Sequence, residues 1–197
     1  MQDTGRQAAD LIFLSGQKLD LRLLTPADAD GDYPLWLNQA EVCFGNSHHV
    51  YPYAREAARE YIAQANKSRD SLTLAIVNKA GVHVGNVALS SIHAVNRSAE
   101  FSILLGARSC WGQGFGREAA LLMFTHGFDQ LNLRRIACGT FSNNIGMQKI
   151  AHSLGMRQEG LRRQAVYKDG RYLDVLEYGI LDEEFRAHHQ AAQQEGT

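Results

Sequence analysis

The stretch that decides the fold reads Ala99-Glu-Phe-Ser-Ile-Leu-Leu-Gly-Ala-Arg-Ser-Cys-Trp-Gly-Gln-Gly-Phe-Gly-Arg-Glu-Ala-Ala120. Its first third is short and mostly apolar and ends at a glycine, which predicts a buried strand. Its last third opens a run of helix-forming residues. Between them, Gly112, Gly114 and Gly116 lack the Cβ that would keep backbone N–H groups away from a ligand. Because the positive end of the following helix points at the same place, the stretch predicts a cradle for a pyrophosphate.

Two familiar phosphate-binding loops do not fit this stretch. A P-loop ends in Gly-Lys-Ser/Thr, whereas Gly116 is followed by Arg117 and Glu118. A dinucleotide fingerprint has the spacing G-x-G-x-x-G and an acid about 20 residues further on, at the end of the next strand. Here the spacing is G-x-G-x-G, and the next predicted strand ends in Thr140-Phe-Ser-Asn-Asn144. A nucleotide-binding protein of the Rossmann type is therefore disfavoured.

The segment Trp111-Gly-Gln-Gly-Phe-Gly116 resembles the acyl-CoA cradle of the GNAT superfamily of N-acetyltransferases, whose pattern is Arg/Gln-x-x-Gly-x-Gly/Ala. Trp111 replaces the usual Arg or Gln, and a Trp-Gly lead-in is typical of the ribosomal-protein N-acetyltransferase (RimJ/RimL-like) branch. The resemblance extends from about Lys18 to Leu181 and implies acetyl-CoA as co-substrate. The cofactor-binding residues that it implies are Ile103, Leu104, Leu105, Trp111, Gln113, Gly114, Phe115, Gly116, Arg117 and Asn144.

These implied contacts differ in kind. In GNAT enzymes the strand entering the cradle splays from its neighbour, so backbone N–H groups near Ile103 and Leu104 are expected to polarise the thioester carbonyl. The aromatic rings of Trp111 and Phe115 pack either on the cofactor or in the core. Arg117 either contacts a 3′-phosphate or is solvated.

Composition indicates one ordinary globular domain. The chain has 197 residues, a formal net charge of −1, 21% charged residues and 45% hydrophobic residues. We expect an N-terminal extension over residues 1–16, an N-acetyltransferase domain over residues 17–183 and a flexible C-terminal tail, frayed helix or disordered, over residues 184–197. The charge balance argues against a nucleic-acid partner. A homodimer is an open alternative.

Cellular context is predicted from what the sequence does not contain. Residues 1–10 carry acids and no apolar core, so we expect no signal peptide, and we expect no segment that crosses a membrane. The cysteines Cys43, Cys110 and Cys138 are odd in number and form no CxxC motif. They are expected to be free thiols in the cytoplasm, with no metal site.

The periodicity of apolar residues predicts a mixed α/β protein, with a mostly antiparallel central sheet flanked by helices, as in the GNAT fold. Asn144 precedes one predicted helix as its N-cap, a role compatible with the cofactor contact implied by the resemblance. The predicted strands are 18–24, 72–77, 82–92, 97–105, 135–142, 156–167 and 172–181, and the predicted helices are 26–38, 55–66, 118–130 and 145–153.

Acetyl transfer to an amine requires a base, and Glu100 is the leading candidate. It lies on the strand that enters the cradle, and a carboxylate within a central strand is costly without a partner. The alternative is that Glu100 faces outward and pairs with Arg97 or Arg135.

The leaving thiolate requires a proton, and here the sequence departs from the family. The family pattern places a Tyr in the last turn of the helix after Asn144, where this chain has Ala151. The proton is therefore expected from Ser142 or from water, with Tyr167 and Tyr178 as further alternatives. His48 and His49 lie in a loop beside the acceptor site of the GNAT resemblance, either as acceptor contacts or as solvated side chains.

The sequence thus predicts an acetyl-CoA-dependent N-acetyltransferase in which an amine attacks directly in a ternary complex. A small-molecule amine (a polyamine or an amino sugar) and a protein N-terminus remain open as acceptors. The alternative is a GNAT-fold module that binds acyl-CoA without turnover, which the Ala151 position favours.

Overall fold

Eight strands form one sheet in the computed structural model, which describes residues 12–194. The strands are β1 Ile12–Ser15, β2 Leu19–Leu23, β3 Leu72–Asn78, β4 His83–His93, β5 Ser98–Leu105, β6 Arg135–Phe141, β7 Arg157–Lys168 and β8 Arg171–Leu181. The helices are α1 Pro26–Asp30, α2 Tyr33–Leu37, α3 Ala40–Cys43, α4 Arg55–Ala65, α5 Phe115–Asp129, α6 Ile145–Ser153 and α7 Asp182–Gln194. Arg108–Cys110 form a 3₁₀ turn.

The strands lie in the order β1-β2-β3-β4-β5-β6-β8-β7. Neighbouring strands are antiparallel except β5 and β6, which are parallel. The parallel pair is joined by α5, which supplies the crossover that a parallel connection needs. The predicted fold class, a mixed and mostly antiparallel sheet flanked by helices, is confirmed.

Each face of the sheet carries its own group of helices. On one face, α5 contributes fully buried side chains such as Met123 and Phe124, and Ala151 of α6 and Phe185 of α7 join the same apolar cluster. On the other face, α1 to α4 pack over β2 to β4 around a second cluster that includes Trp36. Among the described residues, no helix combines the length and apolar character needed to cross a membrane.

The structure differs from the predicted domain limits at both ends. Ile12–Ser15, expected in the N-terminal extension, form the edge strand β1 paired with β2. Ile12 and Phe13 are largely exposed, so the alternation typical of a half-buried strand is missing there. The expected flexible tail begins as the helix α7, which buries Phe185. Residues 1–11 and 195–197 lie outside the described residues.

The helix predicted over 26–38 is two helices, α1 and α2, with a break between them. Gly31 follows α1 directly. Pro34 lies in the first turn of α2, where its missing N–H is tolerated. In the middle of one continuous helix, the Pro34 ring would clash with the preceding turn and remove a hydrogen bond. Local chemistry therefore favours the break, and the prediction of one helix was wrong.

A buried ion pair fastens α1 to the sheet. Arg22 on β2 donates from Nη2 to Asp28 Oδ1 at 2.6 Å and from Nη1 to Asp28 Oδ2 at 2.8 Å. Both side chains are over nine-tenths buried. Burial alone would raise the pKa of the Asp28 carboxyl, but the hydrogen bond from Arg22 and the charge of His83 outweigh it, so this pKa is lowered. Asp28 is therefore a carboxylate at neutral pH.

Replacing Asp28 by Asn should destabilise the fold by about 3–5 kcal/mol, because Arg22 would keep a buried charge without its partner. Asp30→Asn is the matched control, since Asp30 pairs with Arg59 at an exposed site and its loss should cost less than about 1 kcal/mol. Urea unfolding measures both. Equal losses in the two variants would contradict the role given to the buried pair.

The same comparison has a pH dependence. The pKa of Asp28 in the folded protein is lowered from its ordinary value of 3.8. The stabilisation is therefore complete above that value and is lost as pH falls through the lower folded pKa. The gap in unfolding free energy between wild type and Asp28→Asn should shrink as the pH falls below that range.

Candidate active site

A large cleft opens where β5 and β6 separate. The two strands pair only from Ser98 to Glu100 on β5 and from Arg135 to Ala137 on β6. Both strands continue beyond these pairs, but without partners in each other. A cavity of about 690 Å³ lies in the gap, lined by β5, the loop that leads to α5, α5 itself, β6 and α6. The splay expected for the strand entering the cradle is therefore present.

The glycine-rich loop wraps the end of this cavity. Gly114 is the N-cap of α5, in the left-handed conformation with φ of 87°, and Gly112 has φ of 70°. Such values are costly for residues with a Cβ, so the backbone here requires glycine. Gly114, Phe115 and Gly116 all line the cavity. The N-terminal N–H groups of α5 have no partner within the helix, and they lie where an anionic group of a ligand would be stabilised.

A cation that the sequence analysis missed lies beside this loop. Lys18, in the turn between β1 and β2, donates from Nζ to the carbonyl of Gln113 at 2.8 Å. Its backbone N–H in turn donates to the Glu118 carboxylate at 3.0 Å. The two contacts hold the ammonium group against the N-terminus of α5. Lys18 and Gln113 are 95 residues apart in sequence, so no local pattern indicates their contact.

Asn144 joins the cavity to the neighbouring loop. Its Oδ1 accepts from the Met147 N–H at 3.0 Å, which confirms that Asn144 is the N-cap of α6. Its Nδ2 donates to the carbonyl of Gly45 at 3.1 Å. Asn144 lines the cavity, and one amide hydrogen remains for a ligand.

All the residues implied as cofactor contacts line this cavity except Gln113. The Gln113 side chain instead donates to the Ser109 carbonyl. Trp111 is 37% exposed, donates from Nε1 to the Leu105 carbonyl at 2.7 Å, and has the Arg108 guanidinium over its ring. The Trp111 indole therefore lies outside the core and is held in place by these two contacts. Arg117 is exposed at the cavity edge.

The backbone of β5 divides its hydrogen bonds between two sides. In an antiparallel pair, alternate residues direct both their N–H and C=O groups to the same neighbour. Leu104 lies opposite Asn86, and the Gly106 N–H, two residues further on, donates to the Val84 carbonyl beside β4. The N–H of Leu104 thus belongs to β4, and that of Ile103 faces the gap. Of the two expected donors, only the Ile103 N–H faces the gap between β5 and β6.

A second, smaller cavity of about 180 Å³ lies on the opposite side of β5. Asn46, Ser102, Ile103 and Leu104 line both cavities, so the two meet at β5. The remaining lining residues of the small cavity come from α2, the loop after α3, α4, β3 and β4; they are Tyr33, Leu37, His48, Tyr61, Thr73, Asn86, Val87 and Ala88. An acceptor held here would face a group held in the large cavity.

Glu100 lines neither cavity. It is exposed, and no ion pair with Arg97 or Arg135 forms within residues 12–194: Arg97 bonds to Asn132, and Arg135 pairs with Glu159. Glu100 shares a face of β5 with Ser102, about 7 Å along the strand. Glu100 therefore lies two residues along β5 from Ser102, which is at the junction of the two cavities.

Ser142 also lies outside both linings. Its N–H donates to the Asp174 carbonyl at 2.9 Å, and its own carbonyl accepts from Gln148. Ala151 is fully buried in the core under α6. The hydroxyl at the junction of the cavities belongs to Ser102, which the sequence analysis missed. The signal was present, since Ser102 alternates with apolar neighbours and so had to face away from the core.

The structure separates the two loop histidines. His48 lines the small cavity, and His49 does not. His48 is exposed at the mouth of this cavity, and desolvation beside its neighbours, with the charge of Lys168, lowers its pKa, which favours the neutral imidazole at pH 7. Lys168 is buried and donates from Nζ to the His48 carbonyl. The three cysteines are buried and unpaired, and the described residues contain no group of three or more side chains suited to hold a metal.

Comparison with known proteins agrees with this geometry. The acetyltransferase (GNAT) domain profile matches residues 18–157. The chain is 29% identical to the uncharacterized N-acetyltransferase p20 of Bacillus licheniformis, over 86% of this chain and 96% of that protein. It is also 29% identical to spermidine N(1)-acetyltransferase of Escherichia coli, over 58% of this chain and 61% of that protein. RimJ of Mycobacterium smegmatis in complex with CoA-disulfide shares the fold, with a TM-score of 0.77, 20% identity and 89% coverage of each chain.

The chain belongs to the GNAT family of acetyltransferases, as its glycine-rich loop predicted. It is an N-acetyltransferase that takes its acetyl group from acetyl-CoA. The cavity between β5 and β6 fits this donor, because it is long and largely apolar along β5 and ends at the helix N-terminus that suits a pyrophosphate.

Replacing Gly114 by Ala should weaken CoA binding by about 1–3 kcal/mol, roughly 5- to 150-fold, because the new Cβ strains the left-handed turn that presents the backbone N–H groups. That Cβ would also lie 3.3 Å from Lys18 Nζ. Calorimetry with CoA measures the change.

Gly81→Ala is the matched control for backbone strain. Gly81 has φ of 78°, and a Cβ there meets no atom within 4 Å. This variant should lose stability and keep its CoA affinity. Unchanged affinity in a folded Gly114→Ala protein would remove the loop from the binding site.

Proposed function

We propose that this enzyme acetylates the α-amine of a peptide or protein N-terminus, in preference to a polyamine. The observation that carries this proposal is the character of the small cavity. Among the described residues, the side chains that line this cavity are apolar, aromatic or neutral polar, together with His48, and none of them is a carboxylate.

A polyamine brings several positive charges, and burying them requires carboxylate partners. The nearest buried carboxylate, that of Asp28, is already bound by Arg22 and by the Thr25 N–H. The Escherichia coli relative is named for spermidine, but the small cavity here has nothing to neutralise a second ammonium group. A single neutral amine attached to a peptide makes no such demand.

We further propose direct attack of the amine on the thioester. The two cavities share Asn46, Ser102, Ile103 and Leu104, so an amine in one and a thioester in the other would be neighbours across β5. The Ile103 N–H, directed into the gap, would stabilise the oxyanion that forms on the thioester carbonyl. No covalent enzyme intermediate is required by this arrangement.

The proton of the attacking ammonium group is assigned to Glu100, acting through water. The spacing of about 7 Å along the strand between Glu100 and Ser102 leaves room for a water that bridges the Glu100 carboxylate and an amine at the junction. His48 is the second candidate, because it lines the acceptor cavity and its lowered pKa favours the neutral imidazole at pH 7. The thiolate would take its proton from Ser102 or from water, rather than from Ser142.

The preferred acceptor is tested with a panel of amines and acetyl-CoA, following thiol release. Short peptides with free N-termini should be acetylated with kcat/KM at least about 10-fold above that for spermidine, because desolvating a second buried charge costs more than a factor of ten. Spermidine as the best substrate would refute the proposed acceptor. Binding of acetyl-CoA without turnover of any amine would favour the non-catalytic alternative.

The proposed base is tested with Glu100→Gln, which keeps the size of the side chain and removes its basicity. We expect kcat to fall by about 100-fold or more, with CoA affinity unchanged and partial recovery at high pH, where more of the amine is already neutral. His48→Gln is the comparison. If His48→Gln shows the loss and the recovery while Glu100→Gln keeps full turnover, the base is His48.

A further inference from the structure

A chain of buried polar side chains runs from the ion pair under α1 to the acceptor cavity. It passes from Asp28 to His83, whose Nδ1 lies 3.2 Å from Asp28 Oδ1, and then to Asn86. Asn86 is only 7% exposed, and it lines the small cavity. The catalytic scheme above uses none of these three residues, although polar groups buried at this depth are costly unless they are satisfied.

The contacts of His83 settle the orientation of the Asn86 amide. His83 Nε2 lies 2.9 Å from the Gly85 carbonyl oxygen and 2.8 Å from Asn86 Oδ1. The Gly85 carbonyl can only accept a hydrogen bond, so we assign a hydrogen to Nε2; in the protonated ring a second hydrogen, on Nδ1, faces the Asp28 carboxylate. The atom of Asn86 that faces this N–H must then be its oxygen, because its nitrogen can only donate.

The Asn86 nitrogen is therefore turned away from His83. It points towards the small cavity, which Asn86 lines together with Tyr33. An amide nitrogen has two hydrogens, so a hydrogen is available there to an acceptor atom of a bound substrate.

We propose that Asn86, held in this orientation by His83, selects substrates that carry a carbonyl group next to the reacting amine. In an N-terminal residue, the first peptide carbonyl stands in that position. A hydrogen bond from Asn86 Nδ2 to this oxygen would hold the residue with its amine at the junction of the cavities. This inference rests on the proposed function and deepens it, because it names the group that the cavity recognises.

The selectivity comes from the buried Asn86 N–H. A substrate without a carbonyl would leave this donor without an acceptor from the substrate, and sites built to hydrogen-bond a substrate group discriminate against analogues that lack it. His83 is a positioning residue, since it acts on the substrate only through Asn86. Its ring is packed 5.1 Å from that of Trp36, centroid to centroid, which restricts its rotation.

The experiment compares two acceptors of similar shape, alaninamide and sec-butylamine, of which only the first has the carbonyl. The readout is the ratio of their kcat/KM values, so that a general loss of activity or stability cancels. In Asn86→Asp, which keeps the oxygen facing His83 and removes the donor, this ratio should fall by about 10- to 100-fold, mainly through KM. Thr73→Val removes another polar group from the same cavity and should leave the ratio unchanged.

His83→Phe provides a second variant if Asn86→Asp fails to fold. It keeps a ring against Trp36 and removes the N–H that orients Asn86, so the ratio should again fall. An unchanged ratio in a folded Asn86→Asp or His83→Phe protein overturns the inference while peptide acetylation by the wild type stands. A wild type that acetylates spermidine and neither peptides nor alaninamide overturns the proposed function itself.

Discussion

The separation of β5 from β6 is the constraint on which the site depends. Pairing stops at Glu100 and Ala137, although both strands continue. The gap frees the outward backbone groups of β5, makes room for the cofactor cavity, and brings that cavity into contact with the acceptor cavity through Ser102 and its neighbours. A sheet that stayed paired along its whole length would have none of these features, because its ladder would consume the donors.

The acceptor side is held by contacts between distant parts of the chain. The loop after α3 is tied to α6 by Asn144, which donates to Gly45, and to the β7–β8 hairpin by Lys168, which donates to His48. The opposite wall is stiffened by the polar chain from Arg22 to Asn86. Buried groups paired in this way favour one arrangement of the wall, since breaking a pair leaves a buried charge or donor unsatisfied.

The sequence predictions were correct where the neighbouring residues determine the local structure. The glycines of the loop predicted a close approach of the backbone to a ligand at the start of a helix, and the apolar run before them predicted β5. They failed where the cause is not local. Glu100 was selected for its position in a strand, and the structure shows it exposed beyond the cavities, whereas Ser102 on the same face lies at their junction. Of the two alternatives for the C-terminal tail, a frayed helix or disorder, the helix is the one found, and Phe185 packs it on the core.

The sequence by itself predicted the order of strands and helices, the phosphate-binding turn and the family. These features follow from patterns that span a few residues, namely the spacing of apolar residues and the positions of glycines. The sequence did not predict the two cavities, the Lys18 ammonium group at the loop or the orientation of Asn86. Each depends on groups that folding brings together from separate strands and helices. Lys18 meets Gln113 from 95 residues away, and the direction of the Asn86 amide is set by the carbonyl of Gly85 acting through His83. Hydrogen-bond geometry of this kind exists only after the sheet has formed.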